Sequence, residues 1–304
     1  MNLKQIEAFV RIADNRSFSQ TAKEMYQTQP TVSTSINNLE SELGVRLFNR
    51  SAKLVELTEE GKKIYIYARQ ILDSAEAIRQ VLETGEVKLS TRPLLIAAST
   101  IPAQYVLPGI LGEFRKRFPE ARFWLQETDS AGVIREIEEH RADIGFTGMA
   151  GDKSACEYIP ICSDELVILT PNTAHYRTIQ KEDQPLKWIL KEPVIMRENG
   201  SGTRHEALKL LAKGGISADD LRITANLSSP TAILQSVKNG VGITVMSRLA
   251  AQESVEKGDL LAFPLVKEGA RRSIYMVRSS HIIMNEAARQ LVNIVSETYK
   301  TAVW

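Results

Sequence analysis

Cysteine is scarce in this chain. Its 304 residues include two, Cys156 and Cys162, close in sequence but not arranged as a C-x-x-C pair. A disulfide scaffold is thereby excluded, and reduced thiols in a reducing compartment are expected. The four histidines, His140, His175, His205 and His281, are scattered, none at ligand spacing from another His or Cys, so no metal and no cofactor is expected. No apolar run approaches the ~20 residues that span a bilayer. The opening residues 1–16 carry charges throughout, where a secretion signal would have a continuous apolar core. The expectation is a cytoplasmic protein without a membrane partner. Excess charge is missing too: 38 Lys and Arg against 37 Asp and Glu leave a formal charge of +1. Any affinity for nucleic acid must then come from a local surface rather than from the whole chain. There is no low-complexity tract, Gly-x-Gly-x-x-Gly fingerprint, P-loop lysine or Gly-x-Ser-x-Gly elbow, and nothing points to an enzyme.

What is present is an ordinary globular composition, 43% hydrophobic and 25% charged. At about 150 residues per domain the length suits two domains, or more if one is small. Texture divides the chain into residues 1–58, a set of short helices with a brief extended piece; residues 59–88, one long helical pattern; and residues 92–304, short apolar runs alternating with helical periods. The last pattern predicts an α/β fold with mostly parallel strands. The segment 86–93 reads as the linker, since Pro93 and small polar residues stop the helix.

Three helical signals open the chain. Leu3, Ile6, Val10 and Ala13, with Phe9 beside them, form one apolar stripe. Ser17 and Gln20 make a capping box for a second helix with Phe18, Ala22 and Met25 inward. Thr28 caps a third, which tolerates Pro30 in its first turn, buries Val32, Ile36, Leu39 and Leu43, and ends at Gly44. Residues 18–37, from Phe18 to Asn37, thus predict a helix-turn-helix. The outward face of its third helix carries Gln29, Thr31, Ser33, Thr34, Ser35, Asn37 and Asn38, with no charge before Glu40. Short hydroxyl and amide groups can pair with base edges or phosphates while letting the helix approach closely. Residues 45–57 read as a hairpin whose tip places Arg50 and Lys53 against the phosphate backbone. The competing reading is a structural three-helix domain with an incidental polar helix.

Residues 1–58 hold seven basic and six acidic groups, so one copy would hold DNA weakly, and two on one site would multiply the affinity. The long helix offers the means. Thr58 caps it, Glu59 and Glu60 suit its N-terminal dipole, and Ile64, Ala68, Ile71, Ala75, Ile78 and Leu82 recur as a short coiled-coil seam. The same seam also suits packing on the chain's own first helix.

The N-terminal region resembles the LysR-type transcriptional regulators. The residues carrying the likeness are Leu3, Phe9, Ser17-Phe18-Ser19, Ala22, Gln29-Pro30-Thr31-Val32-Ser33, Ile36, Leu39-Glu40, Leu43-Gly44, Leu47-Phe48, Leu57-Thr58 and Gly61. The likeness extends along the whole chain and implies a winged helix-turn-helix, a linker helix and a two-lobed, periplasmic-binding-protein-like effector domain. It further implies promoter DNA and a small inducer as partners, a homodimer or tetramer, and contact with RNA polymerase. One departure lies in the wing: where the family often has two adjacent arginines after the Phe, Asn49-Arg50 is followed by Ser51-Ala52-Lys53.

In the C-terminal part, lobe I is expected over 92–163 and 265–304 and lobe II over 164–264, with hinge crossings near Cys162-Ser163-Asp164 and Phe263-Pro264. Ligands of open parallel sheets lie beyond the carboxyl ends of strands. Four such positions share hydroxyls and glycine amides: Ser99, Thr100 and Ile101; Thr147 with Gly148; Ser201, Gly202 and Thr203; and Ser228 with the residues that follow to Thr231. Together they suggest a small anionic effector clamped between lobes, although each alone is what a helix cap requires. Arg197 and Arg204 flank the glycine loop as candidates for a ligand carboxylate or for a lobe-closing ion pair. The 197–204 and 97–102 runs are most similar to the family branch that regulates sulfur or selenium metabolism. Alternatives on the same two-lobed fold are a solute-binding protein, disfavoured by the extra N-terminal module, and an anion-processing enzyme. A redox pair at Cys156 and Cys162 competes with two inert thiols.

Overall fold

The computed structural model describes residues 1–51, 54–84, 92–182, 186–265 and 270–300. Lys53 and most of the expected linker at 86–93 lie outside the described residues. The chain forms two compact units, residues 1–92 with 281–289, and residues 93–280 with 290–304.

The first unit begins with α1 (Leu3–Asn15), α2 (Phe18–Glu24) and α3 (Gln29–Leu43). Asn2 caps α1 in a reciprocal box with Gln5. Ser17 caps α2 through the Gln20 N–H, but the expected box is only half made, because the Gln20 amide donates to Glu24 Oε1 instead. Strands β1 (Phe48–Ser51) and β2 (Leu54–Leu57) pair as the expected hairpin, and α4 (Glu59–Thr84) follows. Thr58 Oγ1 caps α4 by accepting from the Gly61 N–H at 2.9 Å. Gly61 allows that docking: a Cβ there would lie 2.2 Å from the Leu47 carbonyl oxygen.

The core of this unit is a nest of Phe9, Ile12, Val32, Ile36, Leu39 and Phe48, with Phe48 edge-on to Phe9 at 5.5 Å and to Phe18 at 5.7 Å. The α1 stripe is rotated from its expected position. Leu3 is exposed and Ala13 half-buried, whereas Ala8 and Ile12 are buried, since the inward arc centres on Phe9.

The second unit carries one nine-stranded sheet in the order β4-β3-β5-β11-β6-β9-β7-β8, with β10 also on β6. In chain order it contains β3 (Leu94–Ser99), a π-helical turn (Pro102–Val106), α5 (Leu107–Arg117), β4 (Phe123–Thr128), α6 (Ser130–Glu138), β5 (Ile144–Thr147) and β6 (Cys156–Pro171). Next come α7 (Ala174–Lys181), β7 (Val194–Met196), α8 (Gly202–Lys213), β8 (Ile223–Asn226), α9 (Pro230–Lys238), β9 (Ile243–Ser247), α10 (Arg248–Glu256), β10 (Leu260–Pro264) and β11 (Ala270–Ser279). The last helix is α11 (Glu286–Tyr299), whose residues from Gln290 on belong to this unit.

Strands are parallel within each lobe: β3 with β4 and β5, and β7 with β8 and β9. Every pairing made by β6 and β11 is antiparallel, so the sheet is mixed rather than mostly parallel. The hinge crossing expected near Cys162-Ser163-Asp164 lies inside the strand β6, which passes from one lobe to the other beside β11. Asp164 pairs with Arg272 and Ser163 with Ser273 in continuous register. The ladder shifts only where Ile274 opposes Cys162 and Tyr275 opposes Pro160. Pro160 has no N–H to donate, and Ile161 becomes the extra residue of a bulge. The polar triplet Ser163-Asp164-Glu165 imitates a turn in sequence, but Asp164 is buried by its ion pair with Arg272.

Candidate functional site

Two surfaces hold the residues singled out from sequence. The first is α3. Thr28 caps it, accepting from the Thr31 N–H at 3.4 Å, and the two hydroxyl oxygens lie 2.8 Å apart. Gln29 Oε1 accepts from the Ser19 hydroxyl at 2.9 Å, which fixes its amide at the helix start. Val32, Ile36 and Leu39 face the core, which turns Gln29, Pro30, Thr31, Thr34, Asn37 and Asn38 to the exposed side; Ser33 and Ser35 flank them half-buried.

In the sequence Glu40 ends the uncharged face and is one of the residues carrying the family likeness. The structure buries it and makes it the anchor of the wing. Its carboxylate accepts from the Leu47 N–H at 2.8 Å, the Phe48 N–H at 3.3 Å and the Arg46 guanidinium at 2.9 Å. Burial alone would raise its pKa, but these three donors outweigh burial and hold it below the usual value. Arg50 lies on β1 opposite Val55.

Along α4 the expected seam divides. Ala68 is fully within the unit's own core and Ile64 is packed against it, so these two positions serve α4's docking on its own unit. Farther along, Ala75 is half-buried, Ile71 is 38% exposed, Ile78 64% and Leu82 82%.

The second surface is a cleft in the second unit where β3 and β7 end. Ser99, Thr100 and Ile101 from one lobe and Ser201, Gly202 and Thr203 from the other line one small cavity. They are joined there by Asp129, Ser130, Arg197, Glu198 and Arg272, of which Arg197 alone was singled out from sequence. The open space is about 10 Å³, roughly that of one water molecule. Closure shows in the contacts. Arg197 Nη2 donates to Thr100 Oγ1 across the cleft at 3.4 Å, and the Ala131 N–H reaches the Gly200 carbonyl at 3.4 Å. A Cβ on Gly200 would stand 1.9 Å from Asp129 Oδ2.

Two expected positions do not reach the cavity. Ser228 is exposed and follows β8, the edge strand beyond β7, outside the lining of the cavity; its neighbour Ser229 caps α9 at the Ala232 N–H. Thr147 is fully buried, with its hydroxyl turned to the Met149 N–H in its own turn. Ser201 both lines the cleft and caps α8 at the Arg204 N–H. Arg204 is a strut, donating to the Arg197 carbonyl and to Asn226 Oδ1, each at 2.8 Å.

The cleft's electrostatics rest on two buried guanidiniums. Arg197 holds Glu198 by two bonds of 2.8 Å. Arg272 donates to Asp164 Oδ2 from Nε and Nη2 at 2.9 and 2.8 Å, and Asp164 Oδ1 accepts from the Ser247 hydroxyl at 2.6 Å. Burial lowers the pKa of Arg272, Asp164 opposes that, and the charge of Arg197 adds to it. Neither Arg272 nor Asp164 belongs to a local motif, since they lie 108 residues apart.

Among the described residues no cluster of His, Cys, Asp and Glu could hold a metal ion, and no helix is long and apolar enough to cross a membrane. Burial pushes both cysteine thiols up to about 11, away from the reactive thiolate range. Both stand on β6, six residues apart. That separation is about 20 Å along a strand, far beyond the reach of a disulfide.

Comparison with known proteins agrees with the layout. Residues 3–62 match the family described as bacterial regulatory helix-turn-helix protein, lysR family, and residues 88–300 match the LysR substrate binding domain. An uncharacterized HTH-type transcriptional regulator of Methanocaldococcus jannaschii is 32% identical over 280 residues, covering 91% of this chain and 92% of its own. A full-length OxyR variant of Pseudomonas aeruginosa has the same fold with a TM-score of 0.73 at 19% identity, covering 99% of this chain and 95% of that one. The structure of full-length CbnR complexed with target DNA gives 0.58 at 20% identity, covering 98% and 100%.

Proposed function

The chain belongs to the LysR family of transcriptional regulators, which bind promoter DNA and small-molecule effectors and are not enzymes, and from that premise we propose how it works. The exposed α3 face formed by Gln29, Pro30, Thr31, Thr34 and Asn37, with Ser33 and Ser35 at its margin, enters the major groove, and Arg50 and Lys53 hold the backbone beside it. Homodimers form through the outer part of α4, and a dimer of dimers places recognition helices in successive grooves. A small anionic effector binds in the cleft between the lobes, at Ser99, Thr100, Ile101, Arg197, Ser201, Gly202 and Thr203. Its binding changes the lobe arrangement, and with it the DNA bend and the contact with RNA polymerase in the cytoplasm.

The observation carrying this reading is the α3 surface, a row of exposed hydroxyl and amide groups on a doubly anchored helix. CbnR, whose fold this chain shares, is known bound to its target DNA. A gel-shift titration with the intergenic DNA beside the protein's own gene tests it, run with and without sulfate, thiosulfate, selenite, acetylserine and aromatic acids. Retarded complexes whose mobility or affinity changes with one of these anions are expected. Failure to retard that DNA at low ionic strength would contradict the DNA-binding part, and indifference to every anion the effector part.

A further inference from the structure

Resting on the cleft reading above, we propose that the Arg197 guanidinium is a carboxylate seat, that Glu198 fills it as an internal surrogate, and that the effector is a small carboxylate that takes Glu198's place.

The geometry of the pair is that of a bound ligand head group. Arg197 Nε donates to Glu198 Oε2 and Nη2 to Oε1, each at 2.8 Å, the parallel two-bond fork that a planar carboxylate makes with a guanidinium. Arg197 is 4% exposed at the end of β7, and its Nη2 also reaches Thr100 of the facing lobe. The seat is therefore fixed, desolvated and shared by both lobes. Its occupant is not fixed in the same way. The Glu198 side chain keeps 27% of its surface in solvent, into which it can turn.

The second buried guanidinium offers a contrast. Arg272 is also held by a carboxylate, but Asp164 is 1% exposed and tied by the Ser247 hydroxyl as well, so it has nowhere to go. Of the two seats, only the one at Arg197 can be vacated. Space points the same way. With about 10 Å³ open between the lobes as they stand, about one water's worth, an anion entering this closed arrangement takes the place of a group already present. Exchange of one carboxylate for another leaves the Arg197 charge paired throughout and buries no unpaired ion. A tetrahedral oxyanion can also accept two bonds from a guanidinium, so both classes are tested; a carboxylate is favoured because it reproduces the group that Glu198 already places there.

Calorimetric titration of the full-length protein at fixed ionic strength tests the proposal. The probes are acetate, pyruvate, succinate and benzoate, with sulfate and thiosulfate as tetrahedral oxyanions. Glu198→Gln and Glu198→Ala are each expected to bind at least one carboxylate about tenfold more tightly than wild type, the worth of a charge-assisted hydrogen bond no longer contested. Adding Arg197→Gln to Glu198→Ala is expected to erase that gain. Carboxylate affinities unchanged or weakened in both Glu198 variants would overturn the surrogate. If the oxyanions nevertheless bind wild type and variants alike, the anionic cleft stands without it. If none of the six probes binds any form, the cleft reading falls too.

Discussion

Glu40 shows how much one side chain can set. It ties the end of α3 to the start of the wing through two backbone N–H groups and Arg46. Glu40→Gln is expected to cost about 2 kcal/mol, the range for hydrogen bonds to a charged group, with weaker DNA binding as the wing loosens. Because the folded pKa is depressed, the carboxylate's stabilisation is complete above its unfolded value and fades as pH falls through the folded one. The gap between wild type and variant in urea melts should therefore be full at neutral pH and shrink below about pH 4. Local residues of this kind differ in legibility. Thr28, Thr58, Ser201 and Ser17 could be read as caps because a cap and its N–H lie three residues apart. Glu40 could not, since its partners lie six to eight residues on, past the helix end. Arg272 left no signal at all, because its role depends on the register of β11 against β6.

Elements follow the same division. The helices of the first unit follow from apolar spacing and caps, and the parallel strands of each lobe from short apolar runs. The β6–β11 ribbon was hidden, for pairing across more than a hundred residues is invisible to local pattern and a buried ion pair looks like a polar turn. In α4 the expected seam divides into a packed part and an exposed part. Ile64 and Ala68 dock the helix on its own unit, while Ile78 and Leu82 remain exposed within the chain. The double variant Ile78→Ser, Leu82→Ser is expected to shift the protein from dimer to monomer in sedimentation velocity. Its unfolding free energy as a monomer should change by less than about 0.5 kcal/mol, as for surface substitutions. A dimer that persists unchanged would move the pairing surface elsewhere. The extended run of β6 between the two cysteines settles a different question: peroxide treatment should leave no Cys156–Cys162 disulfide in a non-reducing digest, because the thiols are held six residues apart on one strand.

At the scale of the whole molecule, the proposed function has the lobes of the second unit close on a ligand. Gly200 permits the observed approach, where any Cβ would collide with Asp129. Gly200→Ala is expected to weaken effector binding in calorimetry about tenfold, the cost of an overpacked contact, and to leave ligand-free DNA affinity unchanged. An unaltered effector affinity would show that ligand binds without this closure. DNA recognition is assigned to the other unit, and there the central claim is that α3's uncharged side chains read bases rather than merely fill a surface. Fluorescence anisotropy with the promoter duplex and a random duplex, on wild type and Thr31→Ala, Thr34→Ala variants, tests it most directly. The account predicts a clear loss on the promoter duplex and little change on the random one; equal losses on both, or none on either, would contradict it.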